Sequence, residues 1–240
     1  EQTIYQTSGH GEATLSTTVT DLMEKNNYSL SELNLLMTTA IPDDCDLLLM
    51  YEPTADLSDD EASMIRSYLG EGGKVMILLG DTNAAELPNL EGILEEYGMQ
   101  AEDGYIADPQ RCYQGNYYYI FPELSLTGDL ADGISTEMVL LTNTHGMNLI
   151  DPERDTISTT GFMSSSDSSF AVTETSQEQG TFTLGAVAEE TISSSTGGDA
   201  DSDDTDSSDD SSDEDAAENV TSRLTVISAG SLIDSQITDA

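Results

Sequence analysis

The chain has 240 residues, 37% of them hydrophobic, which is enough to fill the core of one large α/β domain or two small ones. Six Lys and Arg stand against 47 Asp and Glu, a formal net charge of -41 at pH 7. That balance excludes nucleic acid, whose phosphates need clustered basic side chains, and disfavours an anionic lipid surface; it suits cations, basic proteins or neutral ligands.

In chain order, Thr3 to Thr7 reads as a short strand running into Ser8-Gly9-His10-Gly11-Glu12, after which Leu15, Val19, Leu22 and Met23 recur at helical spacing. Tyr28 to Leu35 alternates apolar and polar residues like a half-buried strand. Ile41-Pro42 then leads into Cys45 to Tyr51, which is apolar on both faces, as a central parallel strand is. Ser58 with Glu61 three positions on has the form of a capping box and predicts a helix whose inner face is Ala62, Ile65, Tyr68 and Leu69, ended by Gly70 to Gly73. Lys74 to Gly80 is a second buried strand. Leu90, Ile93, Leu94 and Tyr97 predict a third helix stopped by Gly98. This alternation predicts an α/β fold over residues 1–110, a mostly parallel sheet with helices on both faces, in the manner of flavodoxin-like, Rossmann-like or amidotransferase-like domains.

Beyond about Ala101 the helical periodicity fades. Tyr117 to Phe121, Met138 to Thr142, Phe170 to Thr173, Phe182 to Glu189 and Arg223 to Ser228 read as strands, so residues 111–192 are expected to be a mostly β extension of the same domain. Between Ser193 and Asn219 the sequence collapses into Ser, Asp, Gly and Thr, which cannot bury enough apolar surface to offset ordering, and a disordered acidic loop is expected over 193–219. Asp199, Asp201 and Asp203 alternate like calcium ligands. Yet Asp204 stands where such a loop needs Gly and Asp210 where it needs Glu. Residues 220–240 are expected to give a closing strand and the start of a membrane-proximal segment.

No apolar run reaches the roughly 20 residues of a transmembrane helix, and no signal segment opens the chain. The chain begins at Glu1, directly before a strand, and stops at Ala240 soon after another, as a piece of a longer protein would. Cys45 and Cys112 are too few for a four-cysteine metal site and carry no spacing signal for a disulfide. Cys45 reads as a small buried hydrophobe. No metal site and no cofactor is expected.

The candidate ligand-binding loop is Gly9, His10, Gly11 and Glu12, because open α/β sheets bind ligands at the carboxyl ends of their strands, where backbone N–H groups and a helix N-terminus can hold a small anion. His10 and Glu12 equally suit a structural role beside the helix start. No nucleophile is nominated, since no strand ends in Gly-x-Ser-x-Gly and neither cysteine has that setting. Zinc catalysis lacks its paired histidines. His145, in Asn143-Thr144-His145-Gly146, reads as part of a turn. Tyr113, Tyr117, Tyr118 and Tyr119 read as strand packing, with a carbohydrate or peptide groove as the alternative.

Taken together, Ser8 to Glu12, Ile41-Pro42 with Asp44 and Asp46, Pro53, Asp56-Leu57-Ser58 with Glu61, Tyr68-Leu69, Gly72-Gly73-Lys74, Pro88-Asn89-Leu90 and Leu94 to Gly98 resemble, in order and spacing, the gliding-motility-type ABC transporter accessory proteins. Thr183 to Ala188 and Arg223 to Leu232 resemble that family's closing strands. The resemblance implies an extracytoplasmic domain at the cell membrane, held between transmembrane helices outside this chain. It implies ABC permease and ATPase subunits as partners. The expected role is a non-catalytic binding or coupling module that recognises a small ligand, a polysaccharide or a partner subunit at the strand ends. The competing expectations are a hydrolase or amidotransferase-like enzyme using His10 and Glu12 as a proton-transfer pair, and a cation-gathering surface spacer.

Overall fold

The computed structural model describes residues 2–126, 139–193 and 219–230. The expected acidic loop, between Ser193 and Asn219, and the expected membrane-proximal start lie outside them.

The chain begins as alternating strands and helices: β1 (Gln2–Ser8), α1 (Thr17–Lys25), β2 (Tyr28–Asn34), β3 (Leu47–Tyr51), α2 (Asp59–Gly70), β4 (Lys74–Leu78) and α3 (Pro88–Glu96). Each helix has a local reason to start where it does. Ser16 caps α1 by accepting the Val19 N–H, and Ser58 and Glu61 form the expected reciprocal capping box on α2. α3 places Pro88 in its first turn, and the Asp56 carboxylate accepts the N–H groups of Asn89 and Leu90 from outside the helix. Ala62, Ile65 and Leu69 of α2 and Leu90, Ile93 and Leu94 of α3 are buried. α1 differs from expectation. Leu15 is buried in the lead-in before the helix, no α1 residue is buried, and Leu22 is 52% exposed.

The second part of the chain is all strand: β5 (Met99–Ala107), β6 (Cys112–Tyr113), β7 (Asn116–Ile120), β8 (Glu123–Leu124), β9 (Leu141–Thr142), β10 (His145–Leu149), β11 (Ile157–Ser164), β12 (Ser169–Val172), β13 (Gln177–Gly180), β14 (Thr183–Ser193) and β15 (Asn219–Ile227). The main sheet runs β13-β12-β5-β10-β14-β15-β4-β3-β1-β2, with β11 on β14 and β8 on β11, while β6, β7 and β9 form a separate small sheet. Only the stretch from β2 to β15 is parallel; β14, β10, β5, β12 and β13 pair antiparallel. The expected mostly parallel sheet is thus a mixed one. The physical reason is that parallel neighbours need long crossovers, and no helix follows α3 among the described residues to supply one. His145, expected in a turn, opens β10 and is 7% exposed.

Successive side chains of β3 point to opposite faces. Leu48 and Met50 join Ile65, Leu69, Ile93, Ile77 and Val226 in one buried cluster, while Leu49 and Tyr51 join Leu15, Leu78, Ile120, Leu141 and Phe162 in another. Burying each such aliphatic side chain contributes about 2 kcal/mol. The helices α2 and α3 therefore lie on one face, with the α1 lead-in and the small sheet on the other. Cys45 and Cys112 are both free thiols. Cys45 is half-buried, and burial pushes its thiol pKa up.

Four of the six basic side chains are spent inside the fold. Arg154 bridges Glu96 at 2.6 Å and Glu190 at 2.7 Å and lies over the Tyr97 ring, Arg66 holds the other oxygen of Glu96, Arg223 holds Glu189, and Arg111 caps the carbonyls of Phe121 and Pro122.

Candidate functional site

β1 ends in a loop whose two glycines take the left-handed conformation, Gly9 at φ 104 and Gly11 at φ 72, which turns the residue between them inward. His10 is 3% exposed. Its Nδ1 lies 3.1 Å from Glu12 Oε1 and its Nε2 3.0 Å from Glu61 Oε2, while its backbone N–H donates to Glu12 and its carbonyl accepts from Thr54 and Ala55. Glu61 is the capping-box carboxylate of α2 and also accepts the Ser58 N–H at 2.8 Å. Burial alone lowers the His10 pKa, but the hydrogen bonds and charges of Glu61 and Glu12 outweigh it and leave the value raised. The imidazole and the Glu12 carboxylate thus clasp β1 to α2. What the nominated loop offers outward is the backbone around Gly9 and Gly11.

That loop borders the first of three hollows sharing walls along the carboxyl ends of the parallel strands. The first, about 240 Å³, lies between Gly9, Gly11, Glu12 and Glu32 of β2. A second, about 320 Å³, begins at Gly11 and Ala13 and passes Glu52 and Thr54 to Asp81 and Asn83. Asp81, Asn83 and Glu86 in turn open onto the largest, about 900 Å³, which lies within the size range of ligand clefts.

Glu52 occupies the turn directly after β3 with φ 49, an uncommon conformation for a residue with a side chain. Room for its carboxylate comes from two glycines, since a Cβ on either Gly80 or Gly230 would collide with Glu52 Oε1. In sequence, such a strained strand-end turn is where a nucleophile elbow would carry Ser or Cys. Here it carries a carboxylate followed by Pro53.

The large cleft is walled by two tyrosines and rimmed by acids. Tyr105 of β5 stacks on His145 with ring centroids 4.4 Å apart, and Tyr118 of β7 stands across a lining that includes the carboxylates Asp81, Glu86, Asp103 and Glu174. Burial, then the charges of Asp81 and Glu86, raise the Tyr105 hydroxyl pKa. His145 directs Nδ1 to the Gly104 carbonyl at 2.9 Å and Nε2 to the Asp81 carbonyl at 3.3 Å. Among the described residues, neither large hollow is lined by Ser, Cys, Lys or Arg. The expectation of packed tyrosines holds only in part: Tyr119 is half-buried and Tyr113 meets Phe121 edge-on, but Tyr113, Tyr117 and Tyr118 are 41%, 51% and 36% exposed. Sequence reasoning missed Asp81, Asp103 and Tyr105. The one available signal was that Asp81 follows a buried parallel strand, the place where such sheets hold ligands.

These features define a mixed α/β domain with a polar, aromatic-walled cleft at its strand ends. The model of the family described as ABC-type uncharacterized transport system matches residues 1–240, and the chain belongs to that family, one of accessory components of ABC-type transport. No curated protein matches it. Among solved structures it is similar to the mmIFT52 N-terminal domain, with TM-score 0.64 and 13% identity over 99% of this chain and 90% of that one, which shows a shared fold. A putative ThuA-like protein from Bacteroides uniformis follows at TM-score 0.49 and 10% identity over 77% and 76%. A glutamine amidotransferase from Thermotoga maritima aligns at TM-score 0.45 and 12% identity over 77% and 70%.

Proposed function

We propose that this domain is the extracytoplasmic part of a membrane-anchored accessory subunit of an ABC-type transporter of the gliding-motility kind, a non-catalytic module. It binds a ligand or partner subunit at the carboxyl ends of its parallel strands and passes occupancy to the permease and ATPase. The observation that carries the non-catalytic reading is that the buried His10 has both ring nitrogens engaged by carboxylates, Nδ1 by Glu12 and Nε2 by Glu61. A general base needs a nitrogen within reach of a substrate proton, and this ring has none to spare. The same geometry argues against the hydrolase reading, in which His10 and Glu12 would work as a proton-transfer pair. The backbone of Gly9 and Gly11 stays in the proposed binding rim as one end of the chain of hollows.

The test is co-purification of the full-length protein, tagged, with the permease and ATPase encoded beside it, from detergent-solubilised membranes, together with protease digestion of intact cells stripped of their wall. Recovery of both subunits and cleavage from outside are expected. Recovery of neither, or full protection until the membrane is lysed, overturns the reading.

A further inference from the structure

The 900 Å³ cleft has a chemistry more specific than general polarity. Its walls are the exposed faces of Tyr105 and Tyr118, and its rim carries Asp81, Glu86, Asp103 and Glu174, all four exposed. Every Lys and Arg of the protein is placed elsewhere. Arg66, Arg154 and Arg223 are in ion pairs, and Arg111 is bonded to the Phe121 and Pro122 carbonyls. Lys25 ends α1 and Lys74 begins β4, so both lie at the amino end of the parallel strands, whereas Asp81 lies past the carboxyl end of β4. Both lysines therefore stand at the pole opposite the cleft.

We infer that this cleft binds an organic cation, an amine or quaternary ammonium group seated against the tyrosine faces and neutralised by the rim carboxylates. Resting on the reading of the domain as a binding module, this gives that reading a ligand class. An ammonium over an aromatic face gains from the ring's negative quadrupole, and the gain grows where water is displaced. Tyr105 is held in place by its tilted contact with the His145 ring, whose Nδ1 lies 2.9 Å from the Gly104 carbonyl oxygen. A bare metal ion fits less well. The four acids are spread around the rim, and among the described residues no group of three or more His, Cys, Asp or Glu is placed to hold a metal. An anionic ligand would meet the four rim carboxylates with no Lys or Arg among the described lining residues to offset them. Glu52 and the hollow beside it extend the same negative lining toward Gly11, which gives a second positive group, as in a polyamine, somewhere to go.

The experiment is calorimetric titration of the intact protein with tetramethylammonium, spermidine and a neutral oligosaccharide, in about 150 mM NaCl so that diffuse counter-ion attraction is screened. Saturable binding of the two cations is expected. Tyr105→Ala weakens it about tenfold, Tyr105→Phe leaves it within about twofold, and Asp21→Asn with Glu24→Gln on the exposed face of α1 does not alter it. Tyr118→Ala and a thermal melt of each variant guard against a folding defect at Tyr105. Affinity unchanged from the parent in both Tyr105→Ala and Tyr118→Ala, with both variants folded, marks the heat as non-specific and overturns the inference. Binding of the oligosaccharide without either cation overturns the ligand class while leaving a binding module. No binding of any probe, together with failure to recover the transporter subunits, removes the module reading as well.

Discussion

His10 Nε2 and Glu61 Oε2 stand 3.0 Å apart in the protein interior, and through them the turn after β1 is tied to the first turn of α2. One carboxylate thereby does two jobs, since Glu61 also caps its own helix. A buried pair of this kind makes its largest contribution when both members are charged.

The two halves of the pair set opposite pH limits. The His10 pKa is raised above 6.5, so the stability it supplies is complete below 6.5 and is lost as pH climbs through the raised value. For Glu61, burial raises the pKa, but hydrogen bonds from Ser58 and His10 bring it below 4.5, so its contribution is present above 4.5 and lost as pH falls through the lowered value. His10→Gln should cost about 2–4 kcal/mol between these limits, and the gap from the parent protein should close toward alkaline pH. Melting temperatures of the two proteins across a pH series measure this. A gap of constant size into the alkaline range would refute the loss of this charge-dependent contribution over the pH range tested.

Arg154 is the second pin of the fold. It draws together Glu96 at the end of α3 and Glu190 on β14, and its guanidinium is what chiefly holds the Glu190 carboxyl below the usual range. Arg154→Met leaves Glu190, whose side chain is 8% exposed, without its counter-ion and should cost about 2–4 kcal/mol. Adding Glu190→Gln should recover part of that loss, because the two changes share one interaction. Denaturant unfolding of the single and double variants decides the matter; losses that simply add would refute the coupling.

Gly98 reverses the chain between α3 and β5 at φ 88, and a Cβ there would come within 2.9 Å of the Ile150 carbonyl oxygen. The obstacle is backbone, which cannot swing aside. Gly98→Ala should therefore destabilise by about 1–3 kcal/mol in the same unfolding assay, and an unchanged midpoint would show that the turn relaxes.

A formal charge of -41 on 240 residues is self-repulsive, so the folded state should gain from ionic strength. The melting temperature should rise most steeply while the screening length shrinks from about 30 Å to about 8 Å, that is between roughly 10 and 150 mM salt, then flatten. A flat or falling profile over that range would contradict it.

The parallel half was legible because its signals are local. Leu47 to Tyr51 and Val75 to Leu79 are apolar runs of strand length, and Ser58 with Glu61 announces a helix start. β5 and β10 were not legible. β5 is interrupted by Glu102, Asp103 and Gly104, and β10 opens on His145-Gly146, so neither shows an apolar run or a regular alternation. Position alone picked out Gly9 to Glu12 and could not tell that the His10 ring turns inward, because Glu61 lies 51 residues away. The cleft was hidden for the same reason. Asp81, Asp103, Tyr105, Tyr118, His145 and Glu174 come from separate segments that only the sheet order assembles.

Ser193 faces Asn219 at the end of the ladder between β14 and β15, and Val220 packs against Gly72 at the foot of β4. That rung stands at the amino end of the parallel strands, opposite the end where Asp81 follows β4, so a change at Val220 or Gly72 loads the foot of the sheet and leaves the cleft's supports untouched.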